Sequence, residues 1–267
     1  MYYAYIFVAI IAFVAINRAD EIINPNLWFY LLPAGEIPFC NGAGTLPLVH
    51  LWYIGAVTLL FLVFPLFNMT NKNKKIIIGI VIFVAWNLLK LLIYFTIGKG
   101  FLYKIFGVIR ADSFFLGAAV AILFRQGDKF LTEMTGNKGF QVIIWGLFIF
   151  SGLYSSYILA PARNLYFSIL YCMLVLSVLP ERLENNKSRK VFGYLGQISY
   201  GIYVWHPLVI ILASELLRKN DYYPSSAFAS VLVYVVITAV SICIAGLTNR
   251  LIENTISKKR QIGLHTQ

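Results

Sequence analysis

A chain of 267 residues that is 60% hydrophobic and only 12% charged carries about half the charge of a soluble domain, which excludes a water-soluble fold of this size. The formal charge of +11 does not indicate nucleic acid, because the Lys and Arg residues fall in short loops between apolar runs, where positive charge orients a membrane protein. Cys40, Cys172 and Cys243 have neither C-x-x-C spacing nor neighbouring His pairs, so neither a disulfide framework nor a metal site is expected.

Eight apolar segments follow in chain order, near 2–17, 48–67, 76–97, 105–124, 140–160, 164–180, 198–216 and 226–250. Most approach the roughly 20 residues that cross a bilayer. The expected fold is all-α, a polytopic membrane helix bundle of about eight transmembrane helices. The fourth and sixth segments are the shortest, which predicts that one of them is tilted, re-entrant or buried in protein. The first has no basic leader and no small-residue cleavage site, so it reads as a membrane helix and not a signal peptide.

Residues 18–47, with Asp20, Glu21 and Glu36, are too many for a minimal connector and predict an ordered segment over the outer mouth. The second segment opens on His50 and Trp52, which are either substrate contacts or part of the interfacial aromatic belt. In the third, Asn87 and Lys90 share a helix face, and Lys90 is expected to snorkel outward. In the fourth, Arg110 is suited to clamp a carboxylate, phosphate or thioester oxygen; the competing reading is an ion pair with Asp112. Gly117, Ala118, Ala119 and Ala121 on the same segment let helices approach closely.

The seventh segment contains Ser199, Tyr200, Tyr203, Trp205 and His206 followed by Pro207. Polar groups in hydrocarbon are costly unless they face protein or a wet cavity. Tyr203 and His206 lie four and seven residues after Ser199, so the three share a helix face, and His206 sits about 10 Å deeper at 1.5 Å per residue. An imidazole there can act as general base or hold a hydroxyl; the plainer reading is a packed core histidine. Pro207 is expected to kink the helix and free a carbonyl near the His. The chain has no G-x-S-x-G elbow, Walker loop, H-E-x-x-H or dinucleotide fingerprint.

Eight crossings put fourteen basic residues in one set of loops and seven in the other, with Lys90 inside the third segment. The larger set lies on the side of both termini, which are therefore expected to be cytoplasmic.

Three blocks, in order, resemble the acyltransferase-3 family of integral-membrane O-acyltransferases, which acylate cell-surface sugars. Residues 50–65, from His50 through Trp52 to Pro65, are similar to the family's Leu-Trp-Ser-Leu-x-Val-Glu-Glu-Gln-Phe-Tyr-Leu-x-x-Pro segment. Arg110 through Ala121 is similar to Arg-x-x-x-Phe-x-x-Gly-x-x-x-Ala. Residues 195–209 carry Ser-Tyr-x-x-Tyr-x-x-His-Pro, and 251–255 resemble a closing Glu-x-Pro element with Thr255 in place of the proline.

The resemblance implies transfer of an acyl group, acetyl by default, from a cytosolic donor such as acetyl-CoA, a substrate and not a bound cofactor. The implied acceptor is a hydroxyl of a cell-surface glycan or lipid-linked sugar, and the implied location is a bacterial inner membrane. Donor, acceptor and membrane lipid are the expected partners, with no nucleic acid. His206, Tyr203 and Arg110 are the implied catalytic residues, and Ser199, Tyr200, Trp205, His50 and Trp52 the implied substrate contacts. Where the family carries paired Glu, this chain has Val57 and Thr58, and residues 1–49 contain no Arg-x-x-Arg with a following His. The domain is accordingly expected to span 1–255, lacking two N-terminal helices that bear the family's stronger base candidate, with 256–267 a cytoplasmic basic tail. Other readings stay open: a transporter or flippase using the same polar groups as a path, an inactive truncated remnant, or a non-catalytic partner docking through 117–121.

Overall fold

The computed structural model describes residues 1–69, 71–154, 160–178, 187–221 and 226–264. His265 and the end of the expected tail lie outside the described residues, as do the side chains of 252–264, including Glu253 and Thr255. The described residues form α-helices and one 3-10 turn with no strand: α1 Tyr2–Ala15, α2 Ala19–Ile22, α3 Leu27–Leu31, α4 Glu36–Cys40, a 3-10 turn Val49–Leu51, α5 Trp52–Asn68, α6 Lys72–Thr96, α7 Phe101–Ile109, α8 Ala111–Arg125, α9 Lys129–Gly136, α10 Lys138–Tyr154, α11 Ala160–Val178, α12 Lys187–Lys219 and α13 Ala227–Leu264.

Among the described residues, six stretches are long and apolar enough to cross a bilayer: Val49–Phe67, Lys72–Thr96, Phe101–Arg125, Pro161–Val178, Val191–Lys219 and Ala227–Leu251. Large apolar side chains point outward from them; Phe228 is 78% exposed and Phe95 72%, as suits lipid and not water. The fold is thus an all-α integral-membrane bundle. The described residues of each of the eight expected segments are mainly helical, but α1 has 14 residues and the described α10 17. At 1.5 Å per residue α1 reaches only about 21 Å of a hydrocarbon core near 30 Å. The expected short fourth segment is instead 25 residues, Phe101–Arg125, because the helix starts at Phe101, and it contains a bend at Arg110 that hydropathy does not register.

The chain divides into two compact units. The first holds residues 1–31, 45–51 and the described part of 183–267. Its α1 ends where Asn17 enters the left-handed region (φ 58°) and the Arg18 N–H bonds back to Phe13 O at 2.8 Å, a closure that Asn tolerates better than bulkier residues. Tyrosines at the start of α1 fasten the connection that follows: Tyr2 donates to Tyr30 O at 2.6 Å, Tyr3 to Leu31 O at 3.2 Å and Tyr5 to Pro47 O at 3.1 Å. Arg18 pairs with Glu21 and, across the unit, with Glu215 near the end of α12, both at 2.6 Å. Those hydrogen bonds raise Arg18 above its ordinary value and hold Glu21 below the usual carboxylate range. α12 and α13 pack at Gly201, where an added Cβ would lie 3.0 Å from Ala245 Cβ.

The second unit holds 32–44 and the described part of 52–182. Its core joins Leu60, Phe67, Ala111 and Phe115. α6 and α8 approach at Gly79, whose added Cβ would fall 2.8 Å from Phe115 O and 2.9 Å from Ala119 Cβ. Ala119, one of the small residues of 117–121, therefore packs inside the unit. α9 starts on Asp128, whose carboxylate accepts from Leu131 N at 3.0 Å, an N-cap.

Candidate functional site

In the first unit, the 3-10 turn and the middle of α12 bring two histidines together. The His50 and His206 rings lie 5.7 Å apart between centroids. Tyr5 stands edge-on to His50 and to Trp205, each at 5.4 Å, and Tyr203 stands edge-on to His50 at 5.4 Å. The Tyr203 hydroxyl donates to the His50 backbone carbonyl. His50 Nδ1 is 3.0 Å from Pro47 O, and its Nε2 3.2 Å from Val204 O. A neutral ring has one N–H, so it donates to one of these two carbonyls.

Local sequence fixes His206 more sharply. Pro207 lacks the N–H that would bond to Tyr203 O one turn earlier, and His206 Nδ1 sits 2.8 Å from that carbonyl. A carbonyl accepts only, so Nδ1 carries a proton, and in the neutral ring Nε2 holds the lone pair. Nε2 has no hydrogen-bond partner among the described residues, and the ring is part-exposed. Trp205 is buried, and its indole Nε1 finds no acceptor among the described residues. A ready base thus sits next in sequence to an unspent buried donor.

Ser199 and Tyr200 do not join this cluster. Ser199 is exposed, and its hydroxyl donates to Gly196 O at 2.7 Å; Tyr200 is 44% exposed. Tyr5, by contrast, is fully buried at the centre of the cluster, and only its place as a phenol in an apolar run marks it in the sequence.

Trp52 and Arg110 belong to the second unit. Trp52 stacks on Phe39 at 5.0 Å. Arg110 occupies the joint between α7 and α8 with φ 54°, strained for a residue with a Cβ. Its guanidinium reaches Asp112 at 3.3 Å, Ser113 at 2.5 Å, Asn164 O at 3.3 Å and Ser168 at 2.8 Å. Ser168 in turn donates to the fully buried Asp112 at 2.6 Å. The ion pair with Asp112 is present, and Nη1 has no partner among the described residues.

A cavity of about 570 Å³ in the second unit is lined by Lys90, Lys99, Lys104 and Arg163 beside Tyr103 and Asn164. Lys90 does not snorkel: it is 3% exposed, with its ammonium 4.8 Å from the Tyr103 ring centroid. Cys40 lines the same cavity. Burial pushes its thiol up to about 11, with Lys104 opposing, so it is not a thiolate nucleophile at neutral pH. Burial also raises Glu36, whose Oε2 has no partner among the described residues. No group of three His, Cys, Asp or Glu among the described residues is arranged to hold a metal.

The model of the acyltransferase-3 family, described as an acyltransferase domain, matches residues 1–250. Comparison with curated proteins and with solved structures found no match.

Proposed function

This chain belongs to the acyltransferase-3 family, and on that premise we propose that it moves an acetyl group from cytosolic acetyl-CoA to a hydroxyl of a cell-surface glycan or lipid-linked sugar. The observation that carries the reading is His206. Its Nδ1 is pinned to the carbonyl that Pro207 frees, at 2.8 Å, which leaves Nε2 as a base in a part-buried aromatic cluster. Nε2 takes the proton of the acceptor hydroxyl as that oxygen attacks the thioester carbonyl. The new C–O bond forms, the C–S bond breaks, and the departing thiolate recovers the proton from His206. The Trp205 indole N–H, buried without an acceptor, donates to the oxyanion that develops between these steps.

Tyr203 acts through its hydrogen bond to the His50 carbonyl, which sets the second imidazole, and His50 faces the acceptor. In the second unit, Arg110, with Nη1 uncommitted among the described residues, is the candidate cation. Ser199, Tyr200 and Trp52 are offered as outer substrate contacts. The membrane in this reading is a bacterial inner membrane, with both termini of the chain in the cytoplasm.

The test is transfer of radiolabelled acetyl from acetyl-CoA to membrane glycans in cells that express the chain or its His206→Ala form. Label that appears with the chain and falls at least about a hundredfold in His206→Ala, the low end of a general base's contribution, is the expected result. Label that His206→Ala leaves unchanged would remove His206 from the reaction.

A further inference from the structure

We propose that the cationic cavity of the second unit binds a phosphoryl or diphosphoryl group. Among the described residues four cations line it, the buried Lys90 and the exposed Lys99, Lys104 and Arg163, and no Asp or Glu does. A concentration of like charge in one concavity raises the local potential and favours a multiply charged anion.

Lys90 makes the site more than a basic surface. It lies six residues inside the end of α6, about 9 Å at 1.5 Å per residue, and is 97% buried, being 3% exposed. Its ammonium has no hydrogen-bond or ion-pair partner among the described residues, only the face of Tyr103. Asp112, the acid that acts on it electrostatically, is already engaged by Arg110 at 3.3 Å and Ser168 at 2.6 Å. An ammonium held this deep without an anion is costly, and a bound phosphate would supply the missing acceptors. The backbone of α7 admits the ammonium at close range: a Cβ on Gly107 would lie 3.3 Å from Lys90 Nζ. Arg163 adds the forked donor geometry that suits phosphate oxygens.

The shared chemistry is a diphosphate, carried either by a soluble compound such as coenzyme A or by a membrane lipid. Binding is read without acyl transfer, so either can be found without the other.

The full chain in phosphatidylcholine nanodiscs is titrated with inorganic pyrophosphate, coenzyme A and farnesyl pyrophosphate, with binding read by thermophoresis at two ionic strengths. At least one probe should bind saturably and more weakly at high salt. Lys90→Met and Arg163→Gln should each weaken that binding about tenfold or more, while Lys75→Gln, outside the cavity, leaves it unchanged. Tighter binding of coenzyme A than of farnesyl pyrophosphate identifies a soluble source, and the reverse a lipid. If Lys90→Met does not fold, Lys99→Gln with Lys104→Gln at the exposed rim carries the same expectation. Absence of saturable binding by all three probes, or binding that these variants leave unchanged, overturns the proposal.

Discussion

Pro207→Ala is expected to make the protein more stable and less active. A proline inside a helix costs about 3 kcal/mol relative to Ala, because it removes a backbone donor and its ring meets the carbonyl four residues back. In α12 that carbonyl belongs to Tyr203, and the 2.8 Å hydrogen bond from His206 Nδ1 recovers about 1 kcal/mol. The variant should therefore gain about 2 kcal/mol. The N–H restored at position 207 takes the Tyr203 carbonyl, and the imidazole loses the bond that selects its tautomer and fixes its ring. Losing about 1 kcal/mol of orientation corresponds to roughly fivefold in rate. Thermal unfolding in detergent reads the first effect, and acetyl transfer to membrane glycans under saturating donor reads the second. A variant that is less stable than the parent, or equally stable with full activity, would refute the assignment of Tyr203 O as the carbonyl that orders His206.

Two further predictions concern stability. Gly201→Leu should destabilise the first unit by about 1–3 kcal/mol, since even a Cβ at that position is 3.0 Å from Ala245 Cβ. Gly196→Ala, with nothing within 4 Å of its added Cβ, should leave the melting midpoint unchanged or raise it, and equal losses at both positions would contradict the α12–α13 packing. Glu36 has its carboxyl raised by burial above the ordinary 4.5. Its contribution to stability is complete below that value and is lost as pH rises through its folded-state value. Glu36→Gln, which cannot ionise, should therefore gain in melting temperature over the parent as pH increases from about 4 to about 8, and a flat difference would count against the buried carboxyl.

The apolar segments are legible in the sequence because lipid demands continuous hydropathy, and the described residues of all eight stretches are mainly helical. The bend at Arg110 is not legible. Nothing local requires an arginine at positive φ; the cause is tertiary, since Ser168, 58 residues away, accepts from its guanidinium at 2.8 Å. The same split runs through the candidate site. The spacing of Tyr203, His206 and Pro207 already implies a freed carbonyl beside an imidazole, because one helical turn contains all three. His50 enters the cluster across more than 150 residues through the Val204 carbonyl, a pairing no single segment encodes. Helical period also overreaches: it puts Ser199 on the face of Tyr203 and His206, yet its hydroxyl bonds to Gly196 O and the residue is exposed. A shared face is buried only as far along the helix as a neighbour covers it.

Three of the polar side chains in the apolar segments meet helix carbonyls that have lost their backbone partners. Pro207 leaves Tyr203 O without a backbone donor, and His206 supplies one. In the last turn of α7, before the break at Arg110, Gly107 O accepts from Asn164 Nδ2 at 3.3 Å and Phe106 O from Trp86 Nε1 at 3.0 Å. An orphaned carbonyl in hydrocarbon costs several kcal/mol, so each interruption requires a side-chain donor from nearby chain. An imidazole that meets this requirement with one nitrogen keeps the other for chemistry, whereas an indole that meets it with its single N–H, as Trp86 does, has nothing left to offer. By that criterion His206 keeps Nε2 and its neighbour Trp205 keeps its N–H, an adjacent acceptor and donor on α12 that the backbone has not consumed.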